Sequence, residues 1–322
     1  MNTILWALSS KCNFHCKYCY LDFSEDNNPI NNKNTANNAD INDEIIFNFI
    51  KKLEKYNVKR IFVAGAEPLS NYKKTLKIIK KIKEYNIQVI LCTNGYLIDK
   101  CYKDIIDSKV DAISISLDSH KKEYNDTYRQ YPANDGFERV VKGIKILKAN
   151  ANVKIGIYTV LTKLNLKDLE QTYKFVTDLK SDYFIFQPIF LNEDEKLYKE
   201  LTLDEKDASE LEKIIQRMYT NVSKTKLPNK DYVKKMLESI KHYNSYINNC
   251  FAGDSLFFIT PDGSIHACPS SKMIPRETTS IRLSDSNLED IFINKKLKIK
   301  ECHNFSEDCV NMWQLMAFDE IL

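Results

Sequence analysis

Residues 3–20 of the chain read TILWALSSKCNFHCKYCY, an apolar run that leads directly into three closely spaced cysteines. The first seven residues of this stretch have the apolar, β-branched composition of a buried strand. Cys12, Cys16 and Cys19 follow with the spacing C-x3-C-x2-C. The stretch therefore predicts a buried strand whose carboxyl end carries a cluster of thiols.

The chain up to residue 189 alternates apolar, β-branched runs with amphipathic stretches of helical period. Strands separated by helices indicate βαβ units and a parallel sheet, whose carboxyl-terminal loops meet on one face. The predicted fold class is therefore α/β. Further strands are predicted at 58–64, 88–93, 112–117, 153–161 and 183–189, with helices at 43–56, 72–85, 99–108, 136–149 and 166–179.

The composition is that of a folded, soluble protein, with 43% hydrophobic and 28% charged residues among 322. The formal net charge of +3 gives no argument for a nucleic-acid or membrane partner. The apolar run at 3–8 is too short for a membrane span and lacks a basic flank, so no signal peptide is expected. We expect a cytoplasmic protein, in which nine clustered cysteines favour metal binding or catalysis over disulfides.

Two segments depart from the alternation. Residues 22–40 are rich in asparagine, which is consistent with a disordered loop or with a loop that orders over substrate. After residue 189, a β-hairpin is predicted around Pro261, Asp262 and Gly263. Helices are predicted at 202–219 and 230–246, hairpin strands at 257–260 and 264–267, and structural units at 1–195, 196–249 (a helical linker) and 250–322.

The first cysteine cluster has the chemistry of an iron–sulfur site. Three thiolates from one short loop can bind three irons of a 4Fe–4S cluster and leave the fourth iron open to a ligand. Two other interpretations remain open from spacing alone: a zinc site completed by His15, or buried thiols without a metal.

The spacing C-x3-C-x2-C, with Tyr18 before the last cysteine and a strand in front, resembles the radical S-adenosylmethionine superfamily. The resemblance covers roughly residues 3–190 and implies a partial (β/α)6 TIM-like barrel. It also implies that the open iron binds the methionine part of S-adenosylmethionine, and that the reduced cluster cleaves the cofactor to a 5′-deoxyadenosyl radical. The catalytic candidates are Cys12, Cys16, Cys19 and Tyr20, which follows the cluster loop.

Further segments match the family in order, each at the end of a predicted strand. Residues 64–68 read AGAEP and resemble a Gly-Gly-Glu-Pro motif, with Ala66 in place of the second glycine. A Thr-Asn-Gly turn follows at 93–95, and Arg129 and Arg139 are rival candidates for a contact with the cofactor carboxylate. The resemblance implies cofactor contacts by Tyr18, Gly65, Ala66, Glu67, Pro68, Thr93, Asn94, Ser116, Asp118, Arg129 and Arg139.

A second group of cysteines follows the barrel. Cys250, a gap, Gly263, four residues and Cys268 resemble the start of the SPASM and twitch auxiliary-cluster domains. With Cys302 and Cys309, the resemblance implies a small C-terminal α+β domain with one auxiliary 4Fe–4S cluster. Other interpretations are a structural zinc, His266 or His303 as substitute ligands, and Cys309 as a hydrogen-donor thiol. Cys92 and Cys101 are predicted to be ordinary buried thiols.

The resemblance leaves several reactions open. The first hypothesis is modification of a ribosomally made peptide by crosslinking, epimerisation or oxidation, although no peptide-recognition domain fits before Cys12. The alternatives are oxidation of a small sugar-like alcohol, and a non-catalytic iron–sulfur sensor. Nucleotide rearrangement is less favoured, because the tail lacks a Gly-Gly-arginine segment. A reductant such as flavodoxin or ferredoxin is the expected partner.

Overall fold

The computed structural model describes residues 1–19, 41–130, 133, 135–221, 223–241, 247–248, 250–269, 281–299, 301–302, 309–310, 315–316 and 318. The asparagine-rich segment and Tyr20 lie outside the described residues, and so do the side chains of 247–248 and 301–302.

Six parallel strands form the centre of the molecule in the order in which they occur along the chain. They are β1 (Asn2–Ala7), β2 (Val58–Ala64), β3 (Gln88–Thr93), β4 (Ala112–Ser116), β5 (Lys154–Leu161) and β6 (Tyr183–Pro188). Each pairs with the next in parallel. The predicted α/β fold with a parallel sheet is confirmed, and all six strands lie where they were predicted to within two residues.

The helices are α1 (Asp43–Ile50), α2 (Tyr72–Ile82), α3 (Ile98–Asp107), α4 (Lys122–Arg129), α5 (Gly136–Asn150), α6 (Leu169–Asp178), α7 (Tyr198–Leu201), α8 (Glu205–Thr220), α9 (Lys230–Ile240) and α10 (Leu288–Phe292). Three of the predicted helices end early, and one of them is the helix predicted at 230–246, which ends at Ile240. After α1 the chain continues in turns, and α2 passes into a 3-10 turn that ends at Asn86, whose φ is 49°. The short helices α4, α7 and α10 were not predicted, because none has enough apolar positions to show a helical period.

The two faces of the sheet pack against different partners, because successive side chains of a strand point to opposite sides. On one face, Trp6, Ile61 and Leu91 belong to the apolar layer beneath the helices. On the other face, Phe62 and Ile90 fill the interior of the partial barrel. The near-continuous apolar runs of the strands follow from this burial on both faces.

The C-terminal hairpin extends the barrel sheet. Strands β8 (Leu256–Ile259) and β9 (Ile265–His266) pair antiparallel, which confirms the predicted hairpin. Strand β8 also pairs in parallel with β1, with Thr3 opposite Leu256. A separate two-stranded ladder joins β7 (Ile247–Asn248) to β10 (Glu301–Cys302). The division of the chain into three units stays a prediction.

Residues near position 318 cover the barrel interior at the amino-terminal ends of the strands. Arg60 is 1% exposed, and its Nη1 donates to the carbonyl oxygen of Leu315 at 3.1 Å. The ring of Phe318 packs edge-on against Phe62 and Tyr183, with centroid distances of 5.2 and 5.4 Å.

Across the described residues, no helix is long and apolar enough to cross a lipid bilayer.

Candidate active site

The cysteine loop lies at the carboxyl end of the parallel sheet, directly after β1. The position of the loop depends on Gly65, which follows β2 and has a φ of +105°. A Cβ at this position would lie 2.8 Å from the Cβ of Ala7, which is closer than two carbon atoms can approach. The glycine therefore allows the ends of β1 and β2 to lie side by side beneath the loop.

Glu67 ties the loops that follow β1, β2 and β3 together. Its carboxylate is buried and accepts hydrogen bonds from the Leu69 amide at 2.9 Å, the Thr93 hydroxyl at 2.7 Å and the Asn94 amide at 2.7 Å. Its own backbone N–H donates to the carbonyl oxygen of Lys11 at 3.1 Å. Burial raises the pKa of Glu67, while these hydrogen bonds and the charge of nearby residues oppose the rise.

Asn94 reaches the cysteine loop directly. Its Nδ2 donates to Asn13 Oδ1 at 2.8 Å and lies 3.9 Å from Cys12 Sγ. The Phe14 amide also donates to Cys12 Sγ, at 3.4 Å. Hydrogen bonds to a cysteine sulfur are one of the features that set the potential of an iron–sulfur cluster. The predicted Thr-Asn-Gly turn therefore supports the loop from the side of β3.

A buried network supports the loop from the other side. The Tyr18 hydroxyl and Arg129 Nη1 both donate to Asp118 Oδ2, the second at 2.9 Å, and the Val160 amide donates to Asp118 Oδ1 at 2.8 Å. The side chain of Asp118 is 0% exposed and that of Arg129 is 8% exposed. Burial and the Asp118 carboxylate raise the pKa of Tyr18 well above its usual value, so the hydroxyl stays a hydrogen-bond donor.

Helix α4 completes this support. The Cys16 thiol donates to the carbonyl oxygen of Arg129 at 3.4 Å, and the Lys17 amide donates to that of Tyr128 at 2.9 Å. The rings of Tyr18 and Tyr128 stack with a centroid distance of 6.3 Å. Sequence reasoning missed this helix and also Asn125, which is 0% exposed and accepts the Asp118 amide at 3.0 Å. A buried amide in a polar segment carries no sequence pattern that would identify it.

The remaining candidates are more loosely connected to the cysteine loop. Ser116 ends β4 and lies opposite Tyr158 in the sheet. Arg139 lies on α5, where its Nη2 donates to Asp99 at 3.0 Å and its guanidinium stacks 4.1 Å from the ring centroid of Tyr96. Of the two rival arginines, Arg129 contacts the cysteine loop directly through its carbonyl oxygen. Arg139 reaches the loop through the ring of Tyr96, which packs edge-on against Phe14 with a centroid distance of 5.6 Å.

Burial keeps the thiols of the cysteine loop protonated in the absence of a metal. Burial raises the pKa of Cys12 to about 11 and also raises that of Cys16, so both are protonated at neutral pH until a metal displaces the proton. No three His, Cys, Asp or Glu side chains of the described residues are close enough together to hold one metal ion.

Three of the four predicted auxiliary cysteines belong to the same buried apolar cluster. Cys250, Cys268 and Cys309 are buried within the apolar cluster that fills the barrel interior. Cys302 lies on β10, and its side chain is outside the described residues. The backbone amide of Ala252 donates to Cys250 Sγ at 3.5 Å.

Comparisons with known proteins give a consistent result. The chain is 28% identical over 193 residues to a probable GTP 3′,8-cyclase of Methanocaldococcus jannaschii, which covers 60% of each chain. It is 22% identical over 332 residues to a cysteine-type anaerobic sulfatase-maturating enzyme of Clostridium perfringens, covering 94% of this chain and 84% of that one. The chain thus spans about 60% of the length of the cyclase.

Two solved structures share the fold. The structure of anSMEcpe with bound AdoMet superposes with a TM-score of 0.71 at 18% identity, covering 99% of this chain and 97% of that one. Streptococcus suis SuiB bound to S-adenosylmethionine gives a TM-score of 0.66 at 17% identity, covering 90% of this chain and 65% of SuiB. The family model of the Radical SAM superfamily matches residues 6–176, which is more than half of the chain. The protein therefore belongs to the Radical SAM superfamily.

Proposed function

We propose that Cys12, Cys16 and Cys19 hold a 4Fe–4S cluster and that S-adenosylmethionine binds beside it at the carboxyl ends of the strands. The family implies both groups. When bound and reduced, such a cluster would supply the electron for cleavage of S-adenosylmethionine to a 5′-deoxyadenosyl radical, and that radical would abstract hydrogen from the substrate. The observation that carries the proposal is the support of the cysteine loop from two sides, by the loops after β2 and β3 and by α4.

The protein side chains have positioning and electrostatic roles in this proposal. The guanidinium of Arg129 lowers the pKa of Cys16 against the larger effect of burial, which favours the thiolate that iron requires. Asp118 holds that guanidinium in place by a hydrogen bond. It also accepts a hydrogen bond from Tyr18, the residue that precedes Cys19, and so holds that part of the loop. Fixed geometry of this kind reduces the reorganisation that a reaction requires.

Contacts with S-adenosylmethionine are proposed for residues that lie around the loop. Gly65 leaves its backbone accessible to a ligand because it has no side chain. Ser116 lies at the carboxyl end of β4, where a barrel of this type places its functional groups. Arg129 is the favoured carboxylate partner of the two arginines, because it lies beside Cys16. The other proposed contacts are Tyr18, Ala66, Glu67, Pro68, Thr93, Asn94, Asp118 and Arg139.

A peptide is the substrate class that we propose. Support comes from structural neighbours that were solved with peptides: SuiB bound to the precursor peptide SuiA, and anSMEcpe with AdoMet and the Kp18Cys peptide. The sulfatase-maturating relative matches over 94% of this chain. A nucleotide is the second candidate, because several relatives are GTP 3′,8-cyclases, including one of Clostridium perfringens that is 26% identical over 93% of this chain.

An auxiliary 4Fe–4S cluster is proposed for Cys250, Cys268, Cys302 and Cys309. Its support is the burial of three of these thiols in one apolar cluster. Thiols buried among apolar side chains bind soft metals with little competition from water. Such a cluster would accept an electron from the substrate radical or bind the substrate.

Anaerobic reconstitution tests both iron sites. We expect about eight irons per chain in the wild type and about four in the Cys12→Ala/Cys16→Ala/Cys19→Ala variant. Incubation with S-adenosylmethionine and dithionite should then give 5′-deoxyadenosine in the wild type alone. A mass change in an added cysteine-containing peptide supports the first substrate class, and consumption of GTP supports the second. Reconstituted wild type that forms no 5′-deoxyadenosine would overturn the proposed function.

A further inference from the structure

The interior of the barrel becomes accessible towards the carboxyl ends of its strands. The layer that contains Phe62, Ile90 and Tyr183 is buried. Beyond it, inward-facing residues of four strands are partly exposed, and we call them the mouth residues: Cys92 on β3, Ser116 on β4, Tyr158 on β5 and Gln187 on β6. A space therefore opens inside the barrel above the buried layer, and these strands line it with uncharged side chains.

Gln187 is the residue of β6 that reaches this space. Tyr183 and Ile185 belong to the cluster in the barrel interior, whereas Phe184 and Phe186 belong to the layer beneath the helices. Because successive side chains of a strand alternate between the two faces, Gln187 points into the barrel. The other five residues of the strand are buried, whereas Gln187 is partly exposed.

The strand that carries Gln187 is fixed from outside and inside the sheet. The Tyr232 hydroxyl donates to the carbonyl oxygen of Phe186 at 2.7 Å. Within the sheet, Gln187 lies opposite Val160. The Val160 amide donates to Asp118 Oδ1 at 2.8 Å, in the network beside the cysteine loop. A fixed strand therefore holds this glutamine one strand away from the residues that support the loop.

The side-chain oxygen of Gln187 has no donor in the described part of the chain. Its Oε1 is buried there without a hydrogen-bond partner. Buried polar atoms of folded proteins are nearly always hydrogen-bonded, so an unpaired acceptor is unfavourable until a ligand completes it. The other glutamine of the six barrel strands has the usual arrangement, since Gln88 Oε1 accepts from Arg60 Nε at 2.5 Å. The last torsion of a glutamine side chain is soft, so the amide of Gln187 can turn towards the space.

We infer that Gln187 binds the substrate, with its side-chain oxygen accepting a main-chain N–H of a bound peptide; this inference rests on the peptide substrate class of the proposed function. A glutamine amide has the same donor and acceptor groups as a peptide unit, so it complements one without any charge. A triphosphate is bound through cationic side chains, and none of the four mouth residues carries a charge. These positions therefore favour a peptide over a nucleotide.

Substitution by methionine tests the unpaired oxygen without any ligand. Gln187→Met keeps the length of the side chain and removes no hydrogen bond of the described residues to Oε1. It should therefore leave the melting temperature of the reconstituted protein unchanged or raise it. The matched control Gln88→Met removes the acceptor of Arg60 Nε and should lower the melting temperature by a few degrees. An equal fall in both variants would indicate a structural role for Gln187 and would overturn the inference.

An amide-to-ester series tests the hydrogen bond itself. The probe is the Kp18Cys peptide of the anSMEcpe complex, with analogues in which an ester oxygen replaces one main-chain N–H at a time. In the presence of S-adenosylmethionine, the wild type should bind one analogue about tenfold more weakly than the parent peptide, because that analogue cannot donate to Oε1. Gln187→Met should bind the parent about tenfold more weakly and should lose the distinction between these two ligands. Gln88→Met should bind both as the wild type does.

Calorimetric binding and product formation fail in different ways. If Gln187→Met retains every ester effect of the wild type, or if the wild type binds no form of the peptide, the inference is overturned. Binding does not require turnover, so the ester series decides the inference whether or not the chemistry proceeds. Reconstituted wild type that forms no 5′-deoxyadenosine with dithionite overturns the proposed function alone.

Discussion

Substitution of Asp118 by asparagine tests the buried network beside the cysteine loop. In the wild type one oxygen accepts from the Tyr18 hydroxyl and Arg129 Nη1, and the other accepts from the Val160 amide. Asparagine keeps a single acceptor. If that oxygen remains hydrogen-bonded to the Val160 amide, the new NH2 group faces the Tyr18 hydroxyl and Arg129 Nη1, which are both donors. The guanidinium of Arg129 also loses its counter-charge, and its side chain is only 8% exposed.

The expected cost follows from this geometry. Removal of one partner of a buried ion pair costs about 3–5 kcal/mol, because the other charge stays buried without compensation. Arg129 has further interactions, so we expect a loss of about 3 kcal/mol in the free energy of unfolding of the apo protein. Urea denaturation under reducing, anaerobic conditions measures this quantity, provided that the slope against denaturant is unchanged.

A control variant at Asp111 separates the effect of burial from the effect of losing hydrogen bonds. The Asp111 carboxylate also accepts two hydrogen bonds, from Lys83 Nζ at 2.6 Å and from the Val89 amide at 2.7 Å. Unlike Asp118, the side chain of Asp111 is 35% exposed. Asp111→Asn should therefore cost about 1 kcal/mol or less. The reasoning is refuted if Asp118→Asn and Asp111→Asn destabilise the protein equally, or if Asp118→Asn loses less than about 1 kcal/mol.

Three further predictions concern single positions. Gly65→Ala should lower the unfolding free energy by about 2 kcal/mol or more, since the new Cβ would lie 2.8 Å from that of Ala7 at a φ of +105°; an unchanged melting temperature would contradict this. Gly156→Ala should prevent accumulation of soluble protein, because its Cβ would lie 1.7 Å from the Tyr183 ring; normal yield and melting temperature would show that the ring can move. Burial raises the pKa of Cys12 to about 11. Because only the thiolate reacts, iodoacetamide should alkylate Cys12 in the apo protein about a hundredfold more slowly at pH 8 than it alkylates a thiol of pKa 9. The rate should rise with pH up to about pH 11. Site-resolved mass spectrometry measures that rate, and a plateau below pH 9 would contradict the prediction.

The strands were predictable because burial on both faces gives each one a continuous apolar run. The hairpin was predictable from its Pro-Asp-Gly turn, but its parallel pairing with β1 was not. That pairing joins Thr3 to Leu256, and no periodicity in a sequence encodes the partner of an edge strand. The ends of α1 and α2 were also missed, because turns and 3-10 segments continue the apolar spacing of a helix beyond its last hydrogen bond.

The candidate site was only partly predictable for a similar reason. The residue types of Cys12, Glu67 and Asn94 and their positions at strand ends predicted a site at one face, and the structure places them in contact with the same loop. The function of α4 as a support depends on a buried asparagine, Asn125, and on main-chain carbonyl groups. Every residue has a carbonyl group, so side-chain patterns carry no information about which of them the cysteine loop uses.

The cover of the barrel interior near residue 318 has a consequence for biosynthesis. Arg60 and the carbonyl group that it binds are 255 residues apart in the chain. A ribosome adding about 5–20 residues per second needs on the order of 10–50 s to synthesise the second after the first. Once Pro188 has been added, all six barrel strands can form, yet the rings of Phe62 and Tyr183 lack their partner Phe318 for the rest of the interval. The barrel is therefore completed only after its own segment has been translated, and its apolar interior stays uncovered until the residues near position 318 are added.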